Sequence, residues 1–114
     1  MYIDSHCHLS KEYYESLDEI INKAKENKVN TLIISGCDKN GIIGGLDIIN
    51  KYENIYMTIG FHPSEANITT DEDLLWLEKL IEENNKIIAV GEIGLDYYWV
   101  KDNKELQKDL FKKQ

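Results

Sequence analysis

The stretch VNTLIIS, residues Val29–Ser35, decides the fold. It is short and rich in β-branched and apolar side chains, which favour a pleated, buried backbone, so it reads as a strand covered on both faces. Before it stands Ser16-Leu-Asp-Glu19, a capping-box pattern in which Ser16 accepts from the third helical residue and Glu19 reaches back. Behind that cap Leu17, Ile20, Ile21 and Ala24 recur at helical spacing, with charges on the opposite side. A helix feeding a covered strand is the building block of a parallel α/β sheet.

The alternation continues in both directions. Met1–Asp4 is a short apolar opening, and Ile42, Ile43, Leu46 and Ile49 place a second helix after Ser35, although Gly41, Gly44 and Gly45 lower its intrinsic propensity. IYMTIG, residues 55–60, is a third strand, and Thr70-Asp-Glu-Asp73 resembles a cap for a helix carrying Leu74, Leu77, Leu80 and Ile81 in one stripe. Ile87–Val90 is a fourth strand running into the glycine-rich GEIGLD, and Asp102-Asn-Lys-Glu105 caps a last helix with Leu106, Leu110 and Phe111. These are four β–α units of roughly 25–30 residues. They predict a parallel α/β architecture, either an open doubly wound sheet or part of a (β/α)₈ barrel. No linker or low-complexity tract divides residues 1–114, so they form one domain.

Composition narrows the function. With 42% hydrophobic and 30% charged residues the chain has the balance of a globular domain. No apolar run is long enough to span a membrane, and no basic leader with an apolar core opens the chain, so a cytoplasmic location is expected. Cys7 and Cys37 make no disulfide framework. A net charge of −8 argues against simple electrostatic capture of nucleic acid. It leaves open a site that meets phosphate through divalent cations, which bring their own positive charge.

Residues able to do chemistry gather where strands end: His6 and His8 after the first, Gly36 and Asp38 after the second, His62 after the third, Glu92 and Asp96 after the fourth. In parallel α/β folds ligands bind at that rim, because the loops there converge. In His6-Cys7-His8 the imidazoles point to one side, about 6.5–7 Å apart along the strand. Both rings can tilt to one metal at about 2.0–2.1 Å, while Cys7 faces the other way as a small packing residue. Glu92 is the natural third ligand, set between Gly91 and Gly94, and a carboxylate can bridge two cations. Asp96 can orient a ligand or cap a helix. His62, biased away from helical geometry by Pro63, can hydrogen-bond a substrate phosphate or orient a ligand. Tyr97, Tyr98 and Trp99 can stack on a base, pack in the core or anchor their loop.

Three ordered motifs, DSHCHL at 4–9, GFHP at 60–63 and GEIGLDYY at 91–98, resemble those of the TatD family of metal-dependent hydrolases, and KELQKDLFKKQ looks like the helix before that family's fifth strand. The resemblance implies a (β/α)₈ barrel holding two divalent metal ions, Mg²⁺, Mn²⁺ or Zn²⁺, and hydrolysing phosphodiester bonds of DNA, often as a 3′→5′ exonuclease. It implies His6, His8 and Glu92 as metal ligands and Glu92 and His62 as catalytic or substrate-contacting residues. The family takes two further histidines and an aspartate from later strands that this chain does not contain. A barrel typically needs about 250 residues, so residues 1–114 are expected to be its N-terminal half. DNA is then the expected partner, with no membrane, and the open half-barrel is expected to self-associate or pair with a C-terminal half. Two other readings stay open: an amidohydrolase-like enzyme with a substrate other than nucleic acid, and an inert half-barrel that only assembles.

Overall fold

Leu32 and Ile34 alternate along one strand, Ile55, Met57 and Ile59 along its neighbour, and all five are buried. Period-two alternation puts them on one face of a sheet. The computed structural model describes residues 1–114. Its elements are β1 (Tyr2–Cys7), α1 (Leu17–Glu26), β2 (Val29–Gly36), α2 (Lys39–Lys51), β3 (Ile55–Ile59), a 3₁₀ turn (Pro63–Glu65), α3 (Asp71–Glu83), β4 (Ile87–Val90) and α4 (Lys104–Lys113). The four strands are parallel and lie in the order β1-β2-β3-β4. No helix is long and apolar enough to cross a membrane.

Strands in chain order with crossovers of one hand must send every helix to the same side. The core shows this: Leu17 and Ile21 of α1, Ile42, Ile48 and Ile49 of α2 and Leu77 of α3 join the five strand residues in one cluster. The doubly wound alternative, with helices on both faces, is thereby excluded. The expectation that VNTLIIS is covered on both faces also fails, since Thr31 and Ile33 remain half-buried on the face away from the helices. That face, with the outer edges of β1 and β4, is open; Tyr2 and Ile3 are 65% and 63% exposed, Ile88 and Val90 49% and 40%.

The glycines that weaken α2 as an isolated helix let it lie against the sheet. A Cβ on Gly45 would sit 2.3 Å from the Met57 Cε, and one on Gly36, at the end of β2, 2.5 Å from the same atom. Asp38 caps α2, accepting from Gly41 N at 2.7 Å. At α1 only half of the expected box is made: Ser16 Oγ accepts from Glu19 N at 3.3 Å, while the exposed Glu19 side chain makes no return bond. The box on α3 is complete.

The last helix departs furthest from its sequence pattern. Its N-cap is Asn103, not Asp102, and the Asn103 side chain caps none of the helix's backbone N–H groups. Its side chain is committed elsewhere, accepting from Gln107 Nε2 at 2.7 Å and donating to Asn67 Oδ1 at 3.1 Å. Gln107 is fully buried, whereas Leu106 and Phe111 are 51% and 44% exposed. Gln107 accepts from Asp96 N at 2.8 Å and donates to the Asp96 and Val100 carbonyls, so α4 presents a polar side chain that organises the loop after β4. At its far end Gln114 pairs with both backbone groups of Phe61, accepting from N at 2.6 Å and donating to O at 3.0 Å.

Lys39 at the start of α2 donates to Asp73 at 2.7 Å, and Thr70 N donates to the same carboxylate at 3.0 Å. Lys39, then the Thr70 bonds, lower the Asp73 carboxyl from 3.8 to about 2. A depressed carboxylate pKa contributes stability that is complete above the unfolded value and is lost as pH falls through the folded one. Replacing Asp73 by Asn should therefore flatten the fall in stability between 3.8 and about 2 in acid titrations of unfolding. Thr70→Ala, which removes the cap, should cost about 1 kcal/mol in urea denaturation.

Candidate metal centre

His6 is the penultimate residue of β1 and His8 lies just beyond its end. The β1–β2 register shifts between Asp4 and Cys7, and there the Asp4 carboxylate accepts from His6 N at 3.1 Å. This local arrangement turns both imidazoles to one side, their Nε2 atoms 3.4 Å apart and their rings edge to face at 5.1 Å. Cys7 points to the helix side, as expected, with Sγ donating to Ile33 O at 3.4 Å. Burial, then the Asp4 charge, pushes its thiol up to about 11. Its sulfur faces away from the two imidazoles and lies outside their donor cluster.

Glu92 comes from the other edge of the sheet, two residues past β4. Ladder bonds that continue beyond the strands carry it there: Gly60 N donates to Gly36 O at 3.0 Å, Gly91 N to Ile59 O at 2.9 Å and His62 N to Cys37 O at 2.9 Å. The loop lies so close to Gly60 that a Cβ there would stand 2.9 Å from Glu92 O and 2.7 Å from Ile93 Cγ2. The Gly91–Glu92 peptide is cis, and Gly94, at φ 139°, adopts a conformation reserved for glycine as the chain turns away. Glu92 Oε1 ends 2.8 Å from His6 Nε2.

His6, His8 and Glu92 thus offer one ligand atom each, all within 4.8 Å of one another. Two donors at about 2.1 Å from a cation stand roughly 3.0 Å apart on adjacent octahedral vertices and 3.4 Å on tetrahedral ones. The 2.8 and 3.4 Å separations match that spacing. Two imidazoles and a carboxylate suit Zn²⁺ and related divalent ions, and three protein donors leave positions for water or substrate. Behind His6, a hydroxyl from β2 approaches the second ring nitrogen: Ser35 Oγ is 3.2 Å from Nδ1.

The other expected residues separate. His62 has φ −58° and ψ 149°, the extended geometry that Pro63 favours, and caps the 3₁₀ turn. Its Nδ1 accepts from Ser64 N at 3.1 Å, so in the neutral ring the proton sits on Nε2. His62 is outside the three-donor cluster, yet it lines an open cleft of about 450 Å³ together with Glu92. Asp38 is used as the α2 cap and Gly36 as a clearance for Met57. Asp96 caps no helix; its carboxylate closes a turn instead, accepting from Tyr98 N at 3.0 Å and Trp99 N at 2.9 Å. Tyr98 and Trp99 are 74% and 80% exposed, which excludes core packing for them. They meet edge to face at 4.8 Å, while Tyr97 lies under Lys104. Ser35 went unnoticed in the sequence because it closes an apolar run; only the pairing of β2 with β1 brings it to His6.

Comparison with known proteins gives the family and the fold. The family described as TatD related DNase matches residues 3–114. The uncharacterized metal-dependent hydrolase YabD of Bacillus subtilis is 41% identical over 100% of this chain and 45% of its own length. An uncharacterized metal-dependent hydrolase of Methanocaldococcus jannaschii is 38% identical over 98% and 44%. Among solved structures, the TatD homologue YjjV of Escherichia coli superposes with a TM-score of 0.85 at 27% identity, covering 98% of this chain and 44% of that one. A TatD family hydrolase of Entamoeba histolytica gives 0.80 at 32%, covering 97% and 43%. The chain therefore spans less than half the length of these relatives, matching their N-terminal part.

The clearance at Gly60 yields a direct test. Gly60→Ala must displace backbone at Glu92, so urea denaturation should show a loss of about 1–3 kcal/mol. The equally conservative Gly44→Ala, where a Cβ meets nothing within 4 Å, should be neutral or stabilising, as helical Gly→Ala changes of about 1 kcal/mol are.

Proposed function

This chain belongs to the TatD-related DNase family, and on that premise we propose that it forms the N-terminal half of a divalent-metal-dependent hydrolase that cleaves phosphodiester bonds of DNA, as a 3′→5′ exonuclease. The convergence of His6, His8 and Glu92 at the carboxyl rim carries the reading. His6, His8 and Glu92 are the residues that would hold a divalent cation, and the Glu92 carboxylate would be the group to share with a second one. Two divalent ions, Mg²⁺, Mn²⁺ or Zn²⁺, are proposed. A bound divalent ion supplies Lewis acidity, polarising a phosphoryl oxygen and lowering the pKa of water.

The remaining roles fall to groups of the chain itself. His62, with its proton on Nε2, is a hydrogen-bond donor for an anionic phosphate oxygen in the cleft it shares with Glu92. Tyr98 and Trp99 stand on a loop pinned by Asp96 and Gln107, and their exposed rings suit stacking on bases. With a net charge of −8, attraction to the backbone must come from the cations rather than the protein surface. The open inner face and the free edges of β1 and β4 fit a complement of further β–α units or a second copy. The free thiols Cys7 and Cys37 suit a reducing cytoplasm.

The experiment is a complementation assay, in which the chain is produced with the C-terminal remainder of its Bacillus subtilis relative. With Mn²⁺ or Mg²⁺ the reconstituted protein should release nucleotides from the 3′ end of labelled DNA, and EDTA should abolish this. His6→Ala and Glu92→Gln should each lower the rate by about 100-fold or more, the scale on which charge-stabilising groups are lost. Hydrolysis of esters or amides without nuclease activity would move the assignment to the amidohydrolase-like reading. Assembly with no divalent-dependent activity would favour the inert module.

A further inference from the structure

His6 is a solvent-exposed side chain, at 52%, yet one of its edges rests on a buried group. Ser35, 7% exposed, places Oγ 3.2 Å from His6 Nδ1. Two ladders hold the hydroxyl's backbone. The residue before it, Ile34, pairs with Cys7 of β1, and Ser35 itself pairs with Thr58 of β3. The hydroxyl thus reaches the imidazole from an interior strand, whereas His8 has no such contact.

We propose that Ser35 is a positioning residue for the metal centre, holding the His6 ring and its tautomer so that Nε2 presents its lone pair toward His8 and Glu92. The proposal rests on the reading of His6, His8 and Glu92 as ligands. A neutral imidazole carries one N–H; if Nε2 is to ligate, the proton sits on Nδ1 and needs an acceptor. Ser35 Oγ is that acceptor. Without a cation the demand reverses: Nε2 lies 2.8 Å from Glu92 Oε1, and a proton held on Nε2 beside that carboxylate leaves Nδ1 bare. Nδ1 then accepts, and the same hydroxyl donates. A carbonyl or carboxylate at this place could serve only the loaded state. A hydroxyl serves both by rotating one proton, so the ring need not swing when a cation arrives or leaves.

The test is Zn²⁺ titration of the 114-residue chain by calorimetry, with circular dichroism to monitor folding. Ser35→Ala should weaken Zn²⁺ binding about 10- to 100-fold, the range typical of partners behind a metal-bound histidine. Ser35→Thr, which keeps the hydroxyl, should restore most of it. In a His6→Ala background Ser35→Ala should have no further effect, because the two act through one ring. At neutral pH, ¹⁵N spectra of the Zn²⁺-loaded chain should show the His6 proton on Nδ1. Affinity in Ser35→Ala within about twofold of the parent, or a loss that persists undiminished when His6 is absent, would overturn the role of Ser35 alone. Zn²⁺ uptake indifferent to both His6→Ala and Glu92→Gln would instead overturn the ligand set, and the proposal with it.

Discussion

The site depends on how the sheet's hydrogen-bond ladder runs past the ends of its strands. Gly60 bonded to Gly36, Gly91 to Ile59 and His62 to Cys37 keep three successive loops in register at one rim. Each loop would otherwise leave the sheet at its own angle, and Glu92 would have no fixed relation to β1. The missing side chain of Gly60 allows the Gly91–Ile93 segment to lie against β3. From that platform a carboxylate on one edge of the sheet meets an imidazole on the other at 2.8 Å. The curvature needed to bring edge strands together is the right-handed twist and coil of a parallel sheet with helices on one side.

That one-sided covering is also why the molecule looks unfinished. The helix-facing sides of β2 and β3 are buried to a few per cent, while the opposite face holds Thr31, Ile33, Tyr56 and Thr58 half in solvent. Such a face is stable when it closes on itself, and the solved relatives superpose over this chain while extending to more than twice its coverage. The polar residues among this inner set have a use in the open chain as well. Ser35 lies between apolar neighbours but finds its hydrogen-bond partner in His6, so no buried side-chain polar atom is left unsatisfied.

Amide side chains set the loops that apolar packing does not reach. Gln107 ties Asp96 and Val100 to α4, and Gln114 ties Phe61 to its last turn. In water each of these bonds would be worth little; buried, the groups must be paired, and the pairing selects one loop conformation. The exposed Tyr98 and Trp99 owe their presentation to this scaffold, not to a core of their own.

The sequence by itself determined the order and kind of the elements, because periodicity is local. Ile87–Val90 is a strand as expected, β2 and β3 differ from expectation by a residue at one end, and the caps at Ser16 and Thr70 lie where their motifs put them. It also singled out His6, His8 and Glu92, since residue type and position at a strand end are visible in one dimension. Only the tertiary structure decided that the helices share one face, that Gln107 and not Leu106 is buried, that Asp96 closes a turn while His62 stays outside the donor cluster, and that Ser35 stands behind His6. The burial of Gln107 depends on which face of α4 meets the loop after β4, and the place of Ser35 behind His6 depends on strand register and on which of two sheet faces it occupies. A shift of one residue in pairing exchanges those faces, and no local pattern in an apolar run records it.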